Sequence, residues 1–200
     1  CHVTEDQARI TGLSQRLQMA SAPGLVLYGL TVTFAAIDWV MSLEPHWFST
    51  IYGALFMIGQ ALAALAFAVT VLARLAHRKP LSDVVQPSHF HDLGNLLFAF
   101  VMLWAYVSFS QFLIVWSANL PEEIPWYLRR TTGGWQWIGL SLAALHFFLP
   151  FLLLLTRFVK RRIETLSLLA AGIVVMRLVD LFWLTYFISS SSRGSFDCFT

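Results

Sequence analysis

The chain has 200 residues, of which 58% are hydrophobic and 12% are charged, and its mean hydropathy is +0.67. A soluble domain of this size would lack the polar surface needed to cover itself, so the composition predicts a membrane protein. The net charge of +2 is small and the basic residues are scattered between apolar runs, which argues against nucleic acid as a partner.

The remaining composition gives few signs of a metal or haem protein. Cys1 and Cys198 lie at opposite ends of the sequence and form no Cys-x-x-Cys pair, so iron–sulfur, zinc and c-type haem sites have no support. The first residues are polar and do not have the pattern of a signal peptide. We expect residues 1–21 to be a polar linker or surface helix, 22–188 a transmembrane domain, and the serine-rich residues 189–200 a disordered tail.

Five apolar runs are long enough to cross a bilayer. Pro23 suits the first turn of the first span, and a proline with two aromatic residues separates this span from the second. Prolines, charges and a Gly-Gly pair interrupt the chain between the third and fourth spans. The sequence therefore predicts an all-α, polytopic transmembrane helix bundle with spans over residues 24–43, 50–76, 93–118, 135–158 and 166–188.

The basic residues predict an orientation for these spans. Nine lie on the side of the N-terminus and three on the opposite side, so the positive-inside rule places the N-terminal end in the cytoplasm. The nine are Arg9, Arg16, Arg74, Arg78, Lys79, Arg157, Lys160, Arg161 and Arg162, and the three are Arg129, Arg130 and Arg193. Most tryptophans lie toward the opposite side, as in an aromatic belt at the headgroups.

The last span carries Arg177 and Asp180, three residues apart and therefore on one helix face. Charges at this depth are costly and often mark ion or proton pathways. Asp38 lies roughly 9 Å and Asp180 roughly 12 Å below the outer ends of their spans, from the helical rise per residue. We expect the three groups to share one layer of the outer half, although spacing alone leaves open whether they meet or only hold helices together.

Other polar residues lie at different depths in the spans. His146 precedes Pro150 by four residues, and proline removes the hydrogen bond to the His146 carbonyl and kinks the helix. The imidazole either assists proton movement or forms a hydrogen bond to a neighbouring helix. Gln60 lies near mid-span, and Ser108 and Gln111 share a face with Trp104; such residues commonly form interhelical hydrogen bonds.

The cytoplasmic start of the third span has its own polar group, formed by His89, His91 and Asp92 with Asn95 one turn deeper. A solvated helix cap is the simpler interpretation of this group. Ordered by depth, the polar residues form a candidate proton path across the membrane: His91, Asp92, Asn95, His146, Gln60, Arg177, Asp180, Asp38, Glu44 and His46.

The sequence predicts no catalytic residue, metal site or cofactor bound by this chain. A bis-histidine haem needs two axial ligands within the bundle, and only His146 lies within a predicted span. His89 and His91 have no cysteine or third histidine nearby that would complete a metal site.

Four separated motifs, at residues 34–47, 89–94, 119–127 and 177–180, give the chain a resemblance to a known family. Over about residues 20–187 it resembles the smaller polysulfide-reductase-type (NrfD-like) membrane subunit of bacterial alternative complex III, a quinol:cytochrome c oxidoreductase. The full subunit has about twice as many spans, so the chain is similar to its C-terminal half. Asp38, His91, Asp92, Arg177 and Asp180 match the family pattern.

The resemblance implies a role in respiratory electron transport at the bacterial inner membrane. It implies an NrfD-like sister subunit, iron–sulfur and multihaem cytochrome c subunits and membrane lipids as partners, with haem c and iron–sulfur clusters in those partners and quinone nearby. The chain would offer a proton path coupled to quinol oxidation and would not be catalytic alone. The alternative is a structural scaffold that docks the electron-carrying subunits. A solute transporter would need an internal inverted repeat, which the five spans do not show.

Overall fold

The structure, a computed structural model, describes residues 2–43, 47–76, 78–79, 86–121, 123–131 and 133–194, without the side chains of residues 2–12, 43, 87, 129 and 186–194. Helix α1 (His2–Trp39) ends in a 3-10 turn (Met41–Leu43) and is followed by α2 (Tyr52–Leu75) and α3 (Pro87–Ala118). A short α4 (Ile124–Thr131) leads to α5 (Gln136–Ser141), a π-helical segment (Leu142–Phe148) and α6 (Leu149–Leu155). The short α7 (Arg157–Arg161) precedes α8 (Ile163–Gly194).

Five helical stretches within the described residues are long and apolar enough to cross a membrane: Leu13–Trp39, Tyr52–Leu75, Ser88–Ala118, Gln136–Leu155 and Ile163–Thr185. The chain is therefore an all-helical, multi-pass membrane protein, as the sequence predicted. Because consecutive spans alternate in direction, the last turn of α2, the first turn of α3 and the short α7 lie at one end of the bundle, which we term the basic end. The last turn of α1, the first turn of α2, the last turn of α3 and the short α4 lie at the other, which we term the aromatic end.

The core lies between α2, α3 and α8. The two helices α3 and α8 both pack on α2, and their contact surfaces contribute aliphatic side chains that are fully or almost fully buried. These side chains are those of Leu62, Ala66, Val69, Leu97, Val101, Leu166, Ala170 and Ile173. Helix α1 packs along α2 and is the least buried of the five spans. The centre of the bundle is therefore a three-helix contact with α1 on its outside.

Several helix boundaries differ from the predicted ones. Helix α1 is continuous through Pro23, so residues 2–21 belong to the same helix as the first span. One missing N–H at Pro23 does not outweigh the helix-forming residues before it, such as Gln15, Leu17 and Met19. Helix α8 continues to Gly194, over the first residues of the expected tail, while residues 195–200 lie outside the described part of the chain.

The connection between the third and fourth spans also contains more structure than predicted. Asn119 ends α3 in the left-handed conformation with φ 49°, which asparagine tolerates better than most residues. Pro125 lies in the first turn of α4, where its missing N–H has no helical partner to lose. Gly133 and Gly134 have φ values of 66° and 93° and reverse the chain before α5. The folded-back α4 places Trp126 and Arg130 on the bundle.

Candidate functional site

Arg177 and Asp180 form a buried ion pair on α8. Their residues are 2% and 5% exposed, and the Arg177 Nη1 donates a hydrogen bond to the Asp180 Oδ2. The spacing of three residues places both side chains on one face of the helix, as predicted. A carboxylate and a guanidinium at this depth are retained together because each reduces the cost of burying the other.

His146 lies in the π-helical segment, which packs against α8, the helix of this pair. Its imidazole is fully buried, and its ring centroid lies 4.3 Å from that of Trp104 in an edge-on arrangement. The Arg177 charge acts electrostatically on the imidazole. Both imidazole nitrogens and the Arg177 Nη2 lack a hydrogen-bond partner within the described residues. These three buried polar atoms can therefore each take part in a further hydrogen bond.

The sequence predicted an irregular helix before Pro150, and the structure has a π-helical segment there. The Leu149 N–H donates to the Ala144 carbonyl, five residues back, instead of the carbonyl four residues back. Pro150 has no N–H, so it cannot continue the regular ladder to His146. Single wide turns of this kind are frequent at functional sites, and here the turn contains His146.

A second buried guanidinium, that of Arg130, lies at the aromatic end. It is 1% exposed, and its Cζ lies 3.6 Å from the Trp126 ring centroid and 5.8 Å from that of Trp183. Its Nη1 donates to the Trp126 carbonyl at 3.0 Å and its Nη2 to the Leu184 carbonyl at 3.4 Å. Arg130 therefore joins the short α4 to the last span.

A cavity of about 950 Å³ lies between these groups. Its wall is mainly aromatic and includes Trp47, Trp104, Trp126 and Trp183; Trp47 stacks on Trp126 with centroids 4.7 Å apart. Besides the tryptophans, the polar side chains on the wall are those of Tyr52, Tyr106, Ser108, Gln111, Tyr127, Arg130, Thr131, Gln136 and Asp180. An apolar cavity with a few convergent polar groups is typical of a ligand site.

The predicted face of α3 is confirmed by this cavity. Trp104, Ser108 and Gln111 all line it, as expected for residues four and three positions apart on a helix. Gln111 is buried, and its Oε1 accepts a hydrogen bond from the Ser49 hydroxyl at 2.6 Å. This bond joins α3 to the segment before α2.

Asp38 does not join the Arg177–Asp180 pair, contrary to expectation. Its side chain is exposed on α1, a helix that packs on α2. Ala36 is the buried residue of this part of α1, and a position two residues further is rotated by about 200° around the helix. The depth of a residue in its span does not specify the direction in which its side chain points.

Gln60 also points away from the pair. Its side chain is exposed, and its Oε1 accepts a hydrogen bond from the Tyr28 hydroxyl of α1 at 2.8 Å. It therefore serves as an interhelical hydrogen-bond partner. Glu44 and His46, the outermost residues of the predicted path, lie outside the described residues.

The polar group at the basic end is separate from His146. His89 acts in a helix cap, since its Nδ1 accepts a hydrogen bond from the Gln86 N–H at 3.3 Å. Asp92 is exposed and His91 is half-buried. Asn95 is exposed on α3, nine residues before Trp104, a rise of about 14 Å. Buried aliphatic residues of α3 and α8, including Leu97, Val101 and Leu166, lie in the same part of the bundle.

Lys160 is a further residue of the basic end that the sequence did not single out. It is 9% exposed, and its Nζ donates to the Asn95 Oδ1 at 2.8 Å and lies 5.1 Å from the Phe98 ring centroid. Burial lowers the pKa of Lys160, and the nearby Arg157 guanidinium lowers it further. No sequence signal distinguished Lys160 from its basic neighbours.

The contact between Trp126 and Arg130 did have a sequence signal. The two residues are four positions apart, a spacing that indicates contact on a helix, but α4 was not predicted.

Within the described residues, no group of three or more histidine, cysteine, aspartate or glutamate residues is placed to hold a metal ion. Comparison with known proteins found no matching family model and no matching curated protein.

Proposed function

We propose that this chain is an integral membrane subunit of a respiratory quinol:cytochrome c oxidoreductase of the alternative complex III type. In this role Asp180 and His146 carry protons through the half of the membrane near the aromatic end, and Arg177 stabilises the ionised Asp180. The observation that supports the proposal is the buried Arg177–Asp180 pair next to a fully buried imidazole in a membrane-spanning bundle. Ionisable groups at this depth usually serve an ion or proton pathway.

Each residue has a distinct chemical role in the proposal. Asp180 lines the cavity and can exchange a proton with a group that enters it. The Arg177 guanidinium donates to the Asp180 carboxylate and stabilises its ionised form. His146 accepts a proton on one ring nitrogen and releases one from the other, the usual property of a histidine relay. The cavity next to Asp180 is where a quinone would approach.

The rest of the proton path lies with the partners in this proposal. Aliphatic side chains separate His146 from His91, Asp92 and Asn95, so a route to the basic end runs along a neighbouring subunit. The partners are an NrfD-like sister subunit, iron–sulfur and multihaem cytochrome c subunits, and lipids of the bacterial inner membrane. Electrons travel through their iron–sulfur clusters and haems, this chain binds no redox cofactor, and its N-terminal end faces the cytoplasm.

The test is Asp180→Asn in the assembled complex purified from its native membrane. Asparagine keeps the size of the side chain but cannot exchange a proton, so proton translocation per electron should fall at least about tenfold. The matched control is Asp38→Asn, because Asp38 is exposed and lies away from the pair. Normal translocation by the assembled Asp180→Asn complex would refute the proton role.

A structural scaffold is the second candidate, favoured by the exposure of α1. This helix presents Leu27, Leu30 and Phe34, each more than half exposed, on a span that could contact a partner. As a scaffold, the chain would lose assembly yield in Asp180→Asn membranes, whereas each complex that did assemble would translocate protons normally. Identification of the subunits that co-purify with the chain tests the membership itself.

A further inference from the structure

Gly59 of α2 lies directly against the guanidinium of Arg177 on α8. Gly59 is buried, and a methyl group added to its Cα would overlap the Arg177 Cζ, Nη1 and Nη2 atoms. The end of the Arg177 side chain therefore occupies the room that any other residue at position 59 would fill.

Among the helical glycines that the structure describes, Gly59 is the one that lies against a charged group itself. A methyl group at Gly172 of α8 or at Gly24 of α1 would have no other atom within 4 Å, and one at Gly29 would have an ordinary contact at 3.8 Å. Gly53 is also tightly packed, but against Thr33 of α1, and Gly94 of α3 is packed against the aliphatic part of Lys160 at 3.1 Å. Close helix approach alone thus does not explain the contact between Gly59 and Arg177.

The guanidinium is confined from two sides. On α2, Phe56 lies one turn before Gly59, and its ring centroid is 5.9 Å from the Arg177 Cζ. On α8, the Arg177 Nη1 donates to Asp180. Because the guanidinium ends a flexible side chain, a larger residue at position 59 would displace Arg177 more easily than it would displace the α2 backbone.

We propose that Gly59 is a positioning residue that seats Arg177 against α2 and thereby holds the Arg177–Asp180 pair in its buried geometry. A side chain at position 59 moves the guanidinium away from this seat and changes its relation to Asp180 and His146. The consequence for proton transfer rests on the proposed function, whereas the seat itself is a property of the fold. An experiment can therefore refute the effect of Gly59 on proton transfer without refuting its contact with Arg177.

The other ionisable groups near the pair must be held constant in a test. They are His146 of the π-helical segment, Arg130 of α4 and Tyr52 of α2, which has electrostatic interactions with Arg130, Arg177 and Asp180. The three atoms closest to a methyl group on Gly59 all belong to Arg177, and none of them belongs to these other residues. The substitution at position 59 therefore acts first on Arg177.

The experiment compares Gly59→Ala with Gly172→Ala in the full chain within its native assembly. The Asp180 carboxyl is followed by infrared spectroscopy, its band identified by its absence in Asp180→Asn. Gly59→Ala should shift the frequency of this band, since a displaced guanidinium no longer donates to the carboxyl in the same geometry. The thermal midpoint should fall by about 2–10 °C. Gly172→Ala should leave both quantities unchanged.

A third variant makes the test decisive. With Arg177→Leu and Asp180→Leu present together, no guanidinium occupies the seat, so adding Gly59→Ala should no longer lower the thermal midpoint. If Gly59→Ala by itself fails to accumulate, recovery of folded protein in this background supports the seat. An unchanged Asp180 infrared band in Gly59→Ala, or an equal thermal loss in the background without the pair, would overturn the inference.

Discussion

The half of the bundle near the aromatic end buries two guanidinium groups, an imidazole and the carboxylates of Glu123 and Asp180, whereas the half near the basic end buries aliphatic side chains between α2, α3 and α8. In the first half, Arg177 is held by Asp180, and Arg130 by two carbonyls and two tryptophan rings. In the second half, Lys160 is the buried charge among the described side chains, at the very end of the bundle.

The two halves of the bundle therefore contribute to its stability in different ways. Aliphatic contacts hold α2, α3 and α8 together, and their removal costs dispersion contacts and leaves a void. The polar layer contributes little net stability when complete, but it becomes costly when one member is removed, because the remaining charge stays buried. The two halves should therefore respond in opposite ways to paired substitutions.

The largest expected effect is that of Arg177→Leu, which leaves the Asp180 carboxylate buried without its partner. We expect a loss of about 3–5 kcal/mol, while Arg177→Leu combined with Asp180→Leu recovers most of it. Thermal and denaturant unfolding of the purified protein in lipid discs measures both. A double variant as unstable as the single one would show that the pair itself holds the helices together.

In the half near the basic end, a substitution of a buried aliphatic residue should lower the stability of the protein, and a second substitution should not restore it. Leu166→Ala removes a fully buried side chain from α8 and should destabilise the protein by about 2–4 kcal/mol, with proton translocation of the assembled complex unchanged. Leu168→Ala on the same helix is the control, because Leu168 is 76% exposed, and it should change stability by less than about 0.5 kcal/mol. Similar losses for both would mean that the exposed face of α8 is covered in the assembly.

Arg130→Lys tests whether the planar guanidinium matters at the aromatic end. Lysine keeps the charge but loses the stacking on Trp126 and one of the two carbonyl contacts, so we expect a loss of about 1–3 kcal/mol. Arg74→Lys is the control, since Arg74 is exposed on α2. Equal stability of the Arg130→Lys and wild-type proteins would show that only the positive charge of Arg130 matters at this position.

The smallest effect concerns Lys160 at the basic end. Because burial holds the pKa of Lys160 below its usual value of 10.5, the unfolded chain binds more protons than the folded chain between the two pKa values. Wild-type stability should therefore rise with pH in that range, by at most about 1.4 kcal/mol per pH unit. Lys160→Met lacks this contribution, so unfolding of both proteins between pH 7 and 10 should show the wild type gaining on the variant. A constant difference would contradict the burial of the ammonium group.

The membrane class and the five spans were predictable because they depend on local composition. An apolar run of about 20 residues has few alternatives in a bilayer, and its end is marked by prolines and charges. The ion pair on α8 and the shared face of Trp104, Ser108 and Gln111 were likewise predictable, because helical periodicity relates residues three and four positions apart. The π-helical segment was foreshadowed by Pro150 four residues after His146.

Only the tertiary structure decided which faces of the helices meet. The depth of Asp38 suggested that it would contact Arg177, yet the orientation of α1 leaves the Asp38 side chain exposed. The residue that lies against the Arg177 guanidinium is Gly59 of α2. A glycine carries no sequence signal for the side chain that will occupy its space. Arg130 and Lys160 resembled surface charges, and they are buried because α4 and α7 fold back onto the bundle. Periodicity along one helix specifies the faces of that helix, whereas the choice of partner for each face depends on the fit of all five spans together.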